Sequence, residues 1–148
     1  MTSISHAIIG ASIAAIFPDP KVVIPLCVLT HFACDIIPHW DLGTNWRLRP
    51  RAVTGLMAAL ETLTALFGTY LVFQSLVPST TTLAIAIIAS LIPDWLEVPY
   101  YLLLPKPPKL FYYIYKFQSV LHNRAQRPIG VFTQIAVVGG FFLVGFVI

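Results

Sequence analysis

The sequence predicts an all-α fold, a polytopic membrane helix bundle forming a single transmembrane domain over residues 1–148. Three observations predict it. The chain is 57% hydrophobic and only 10% charged, its mean hydropathy is +0.82, and its apolar runs are cut by clusters of proline, glycine and charge. A soluble domain of this size could not hide so much apolar surface in its core.

Proline and charge mark out about five membrane helices, arranged as two short hairpins and a C-terminal span. The first covers residues 6–17 and stops at Pro18-Asp19-Pro20-Lys21. The second covers residues 22–36, with Pro25 in its first turn, where a missing donor is tolerated. Pro38 disfavours a helical Ile37 and ends it before His39. Both are shorter than the roughly 20 residues that span a hydrocarbon core. The third, residues 52–74, is long enough to span alone; residues 75–80 turn, and the fourth runs over 81–92 until Pro93. An apolar piece follows at 95–104, broken by Pro99 and closed by Pro105-Lys106-Pro107-Pro108-Lys109, as expected of an interfacial or re-entrant segment. Residues 110–122, rich in tyrosine and phenylalanine, suit an interfacial helix at headgroup level. The last span, 128–148, is uncharged.

The nine basic residues decide orientation. Arg47, Arg49 and Arg51 follow the second helix, and Lys106, Lys109, Lys116, Arg124 and Arg127 lie between the fourth and fifth. Five spans put both groups on one side, which the positive-inside rule makes cytoplasmic. The expectation is an inner-membrane protein with its N-terminus cytoplasmic and its C-terminus outside. The N-terminal segment lacks a positive n-region and a small-residue cleavage site, so it reads as a retained helix. No basic, aromatic-interleaved patch suggests nucleic acid, and the partner class is membrane lipid. Cys27 and Cys34, seven apart on one apolar helix, cannot form a disulfide with each other. Gly-x-Ser-x-Gly, Gly-x-x-x-x-Gly-Lys and His-Glu-x-x-His are absent, which removes the main support for serine hydrolase, nucleotide hydrolase and metallopeptidase readings.

The chemistry sits in the polar residues. An ionisable group at membrane depth costs roughly 2.5 to 3.5 kcal/mol on insertion scales, so several together mark a site. His31 and Asp35, four apart, share a helix face and can grip one cation. Asp94 and Glu97, three apart, would do the same on a helical turn. On the five-span topology His6, His39, Asp41, Asp94, Glu97 and His122 fall at cytoplasmic helix ends, with His31, Asp35 and Glu61 deeper beneath them. A faint repeat at an offset of 55 residues lays Ile37-Pro38-His39-Trp40 over Ile92-Pro93-Asp94-Trp95 and His6 opposite Glu61. Mixed imidazole and carboxylate donors suit a divalent metal, zinc first with manganese or iron as alternatives, as one or two ions. The expected ligands are His6, His31, Asp35, His39, Glu61, Asp94, Glu97 and His122. Glu61 and His6 are also the candidate proton carriers, and Arg124 and Arg127 the candidate phosphate-binding residues. Asp41 is the weakest ligand candidate, since Arg47 and Arg49 stand near it in sequence. Against this stands the plainer reading that these groups are ion pairs tying helices together.

The early His6, the helix His31-Phe32-Ala33-Cys34-Asp35 and the corner Pro93-Asp94 resemble the inner-membrane metal-dependent hydrolases, small multi-helix proteins. The run Asp35-Ile36-Ile37-Pro38-His39-Trp40-Asp41 is similar to that of small bacterial membrane proteins with the same early histidine and a later Pro-Asp. The resemblance covers roughly residues 5–97 and the His122 region. It departs in motif order and in lacking a His-Arg-Gly-x-Thr-His-Ser segment, of which His122-Asn123-Arg124 keeps a trace. It implies a metal-dependent hydrolase. With dinuclear phosphoesterase chemistry, the expected substrate is a lipid-linked phosphoester at the cytoplasmic interface. The alternatives are a non-catalytic structural or lipid-binding protein with a buried polar network, and, with less support, an ion transporter.

Overall fold

The structure is a computed structural model describing residues 1–103 and 106–147. The ends of the expected 95–104 and 128–148 segments, at Leu104 and Ile148, and the stop at Pro105 lie outside the described residues. The described residues form six helices and no strand: α1 (Ser3–Ile16), α2 (Pro20–Ile36), α3 (Arg51–Phe73), α4 (Thr80–Val98), α5 (Lys109–Leu121) and α6 (Ile129–Phe146). A π turn, Thr64–Gly68, interrupts α3, and another, Pro99–Leu103, extends α4.

Helix α1 is apolar on every side and lies at the centre, buried against α4 and α6 and in contact with α2 and α3. Its small residues let neighbours close in. A Cβ on Gly10 would stand 2.9 Å from the Ala86 carbonyl oxygen of α4, so only glycine permits this helix spacing. Thr2 caps α1 by accepting from the Ser5 amide, and Asp19 caps α2 by accepting from the Lys21 amide at 2.9 Å. The cap starts α2 at Pro20, two residues earlier than the sequence suggests, so Pro25 lies in its second turn.

Pro93 does not end the fourth helix. Helix α4 runs through it to Val98, and with its π turn gives an apolar stretch of 23 residues, Thr80–Leu102. A proline inside a helix costs about 3 kcal/mol. Here burial of Leu83, Ala86, Ile87, Ala89, Ser90 and Leu91 against α1 and α2 offsets that cost. The two Pro-Trp segments of the apparent repeat therefore differ: Pro38 leads out of a helix into extended chain, and Pro93 is helical.

Three helices are long and apolar enough to cross a membrane: Arg51–Phe73, Thr80–Leu102 and Ile129–Phe146. Helices α1 and α2, with 14 and 17 residues, are shorter, as expected. Large apolar side chains such as Leu29, Phe67, Leu71 and Phe132 are exposed on the outside of the bundle, which fits a membrane protein. Helix α5 matches the helix expected over residues 110–122 within a residue at each end.

Helices α1, α2, α3, α4 and α6 alternate in direction. Thr82 at the start of α4 donates to the Pro18 carbonyl at 2.7 Å, and Gln134 in α6 reaches Thr2 at 3.2 Å. The start of α1, the ends of α2 and α4 and the start of α6 thus gather at one end of the bundle, together with Glu61 of α3, whose carboxylate accepts from the Ser3 amide at 2.7 Å. Gly10→Val is expected to lower stability in detergent by about 1–3 kcal/mol through overpacking. Gly140→Val, where a Cβ meets nothing within 4 Å, should leave it unchanged; thermal melts of the two variants provide the comparison.

Candidate metal centre

All four histidines of the chain converge on one carboxylate, Asp35 near the end of α2. The Nε2 atoms of His6 and His39 lie 3.2 and 3.6 Å from Asp35 Oδ1, and those of His122 and His31 lie 3.1 and 3.4 Å from Oδ2. The amino group of Met1 also lies against Oδ1. His31 comes onto Asp35 through the helical four-residue spacing. His6 arrives from α1 and stacks on His31 with ring centroids 3.9 Å apart.

His39 and His122 arrive through a backbone clasp. The chain leaving α2 pairs with the chain leaving α5: the His39 amide donates to the Asn123 carbonyl at 3.0 Å, the Ala125 amide to the His39 carbonyl at 2.7 Å, and the Asn123 amide to the Asp35 carbonyl at 2.9 Å. Gly130, in the first turn of α6, lets this clasp seat, because a Cβ there would stand 2.7 Å from the Trp40 nitrogen. The clasp exists because Pro38 frees residues 38–41 from helix.

The donor atoms fall into two groups of three, each with its atoms within 4.8 Å of one another: His6, His31 and Asp94; and Asp35, His39 and His122. Asp94 reaches His31 Nε2 at 3.5 Å. The ring orientations are set from behind. His31 Nδ1 faces the Ser90 carbonyl at 2.7 Å and His39 Nδ1 the Ile37 carbonyl at 2.8 Å. A carbonyl only accepts, so each Nδ1 carries a proton, and each ring turns its Nε2 toward the carboxylates. The Nε2 atoms of His6, His31 and His39 are buried and make no hydrogen bond, since their approaches to oxygen are off the line an N–H bond needs. These buried imidazole and carboxylate groups could hold a metal ion.

Asp41 is more engaged than its sequence neighbours suggest. It pairs with Arg124, whose Nε donates to Oδ2 at 2.9 Å, and that same oxygen lies 3.7 Å from both His39 and His122 Nε2. Burial pushes its carboxyl up, but the His39 and Arg124 contacts outweigh this and hold it well below the usual range. Burial lowers the His122 imidazole to about 4, against the pull of Asp35, so it stands neutral at physiological pH as a ligand requires. Arg47 and Arg49 turn away: Arg47 donates to the Tyr115 hydroxyl at 2.7 Å, and Arg49 to the Leu42 carbonyl. Arg127 lies over the Trp40 ring at 3.8 Å.

Of the residues expected from sequence, His6, His31, Asp35, His39, Asp94 and His122 come together in the two groups. Glu61 and Glu97 join neither; both line an adjoining cavity with Asp94, His122 and Arg124. The Ser90 and Ile37 carbonyls that orient the rings carry no sequence signal, because any residue type supplies a carbonyl. Cys27 and Cys34 are free, buried packing residues. The chain matches no protein-family model, and no similar curated protein or solved structure was found.

Arg124→Gln is expected to cost about 1–3 kcal/mol by leaving Asp41 buried without its charged partner. Arg127→Gln, which forfeits only a cation–π contact, should cost about 0.5–1 kcal/mol. Chemical unfolding of both variants in detergent checks the order.

Proposed function

We propose that the chain is a membrane-embedded, metal-dependent hydrolase that cleaves a lipid-linked phosphoester at the cytoplasmic face of the inner membrane. The observation that carries this reading is the set of buried, unpartnered imidazole Nε2 atoms directed at carboxylates, with the protons of His31 and His39 turned away onto carbonyls. His6, His31 and Asp94 would hold one ion, and Asp35, His39 and His122 a second, with the Asp35 carboxylate between the groups. A bound divalent metal would supply Lewis-acid stabilisation of charge developing on a phosphate oxygen.

The chain's own residues supply the rest. Glu61, half-buried on the cavity wall and held by the Ser3 amide, is placed to take the proton of the attacking water. Arg124, fixed by Asp41, is oriented to hold substrate phosphate with its remaining N–H groups, and Arg127 would act at the rim. The exposed apolar belt keeps this end of the bundle at lipid headgroup level, and the basic residues around it favour the cytoplasmic side, with the N-terminus cytoplasmic and the C-terminus outside. The resemblance of His6, His31-x-x-x-Asp35 and Pro93-Asp94 to the inner-membrane metal-dependent hydrolases supports the same reading.

A second reading, a non-catalytic polar network tying helices together, is favoured by the short approaches of His6 and His122 to Asp35, 3.2 and 3.1 Å. Hydrolysis separates the two. Purified protein in mixed micelles with phosphatidic acid and other lipid phosphates should release phosphate or a phosphorylated headgroup, lose the activity to a chelator and regain it with zinc or manganese. His31→Ala should lower the rate by about 10²-fold or more, and Glu61→Gln by about 10²–10⁴-fold with metal retained. Absence of metal-dependent release across the panel from folded protein would leave the polar network as the account.

A further inference from the structure

A cavity of about 100 Å³ opens beside the two ligand groups, between the chain after α2 and helices α3, α4 and α5. Its walls combine the rings of Trp46, Trp95, Tyr101 and Tyr115 with the carboxylates of Glu61 and Glu97. The charges facing it do not balance. Asp41 and Asp94 line it as well, against Arg124 and Met1, whose amino group lies on Asp35, with Arg47 held on the Trp46 ring and the Tyr115 hydroxyl. Asp41 is paired with Arg124, Asp94 lies against His31, and Glu61 accepts from the Ser3 amide. Among the described residues Glu97 has no such partner: it is only 6% exposed, and its Oε1 is buried without a hydrogen bond.

The rings complement that carboxylate. Trp46 and Tyr101 lie with centroids 5.4 Å apart, tilted by 44°. Trp46 already carries the Arg47 guanidinium at 4.7 Å, so this wall holds a cation on one of its rings. Aromatic faces attract an ammonium group, a buried carboxyl without a partner gains its charge when a cation binds beside it, and both disfavour an anion. The cavity is too small for an acyl chain and suits a few heavy atoms.

We propose that this cavity is a subsite for an ammonium group, contacted by Glu97 and by the Trp46 and Tyr101 rings. Its assignment as the headgroup end of the substrate rests on the phosphoester reading: with phosphate at the metal groups and Arg124, an amine or quaternary ammonium beyond it falls among these residues. The substrate class is then a zwitterionic lipid phosphodiester or its phosphorylated headgroup.

The test is a tryptophan-fluorescence titration of the full chain in maltoside detergent, which carries no ammonium of its own, with ethanolamine, choline and the neutral tert-butyl analogue of choline. It is run with zinc and after chelation. Choline or ethanolamine should bind saturably and at least about tenfold more tightly than the neutral analogue, as one cation–π or ion-pair contact provides. Glu97→Gln should remove most of that preference, and Tyr101→Leu should weaken it with Glu97 intact. Equal binding of the charged and neutral probes, no saturable binding, or a preference unchanged in both variants would overturn the subsite. Zinc binding without ammonium preference sinks the subsite and spares the metal centre. Ammonium preference in protein that binds no zinc keeps the subsite and sinks the hydrolase reading.

Discussion

The end of the bundle that carries the polar residues is organised around the burial of one carboxylate. Asp35 is 2% exposed and has four imidazoles around it, drawn from α1, α2, the chain after α2 and the chain after α5. An ionised carboxylate in such surroundings is expensive unless cations or hydrogen bonds meet it. The Met1 amino group meets part of that need, and a metal ion shared among the imidazoles would meet the rest. Much of the local architecture follows from bringing these donors together: the glycine that lets α1 approach α4, the proline that releases residues 38–41, and the clasp that carries His122 across.

The bundle separates two tasks. The outward faces of α3 and α6 hold large apolar side chains and few internal contacts, as lipid-facing helices do. Helices α1, α2 and α4 carry four of the six candidate ligands, His6, His31, Asp35 and Asp94, and α1 and α4 pack tightly through small residues. A short central helix is suited to this work. Fourteen residues cannot span a bilayer unaided, but they place His6 beside His31 while longer neighbours shield them. The histidines and most of the acids thus collect at one end, and the opposite ends of the helices carry Asp19 and Lys21 as their charged side chains, an arrangement better suited to chemistry at one interface than to passage between two.

Much of this was legible in the chain. The helical spacing of His31 and Asp35, the stop at Pro38 and the alternation of apolar runs with basic loops suffice for the fold class and for most ligand candidates. What was not legible depended on tertiary contact. Pro93 reads as a helix end because local preference disfavours it, and only packing against α1 and α2 carries α4 through. Asp41 reads as a partner of nearby arginines because sequence distance is all a linear reading has, while its partner Arg124 lies 83 residues away across the clasp. Glu97 reads as a ligand from its three-residue spacing to Asp94, and Glu61 from its depth and its place opposite His6 in the repeat; their place on the cavity wall depends on how α3 and α4 are rotated in the bundle. The ring-orienting carbonyls of Ser90 and Ile37 leave no mark in any sequence.

The most direct measurement is metal content by mass spectrometry on protein purified in detergent without chelator or affinity-resin metal. It compares the natural chain with a folded His31→Ala, Asp35→Ala double variant. The account predicts about one or two equivalents of zinc, manganese or iron in the natural chain and their loss in the variant. A natural chain that keeps its fold and carries no metal would contradict it.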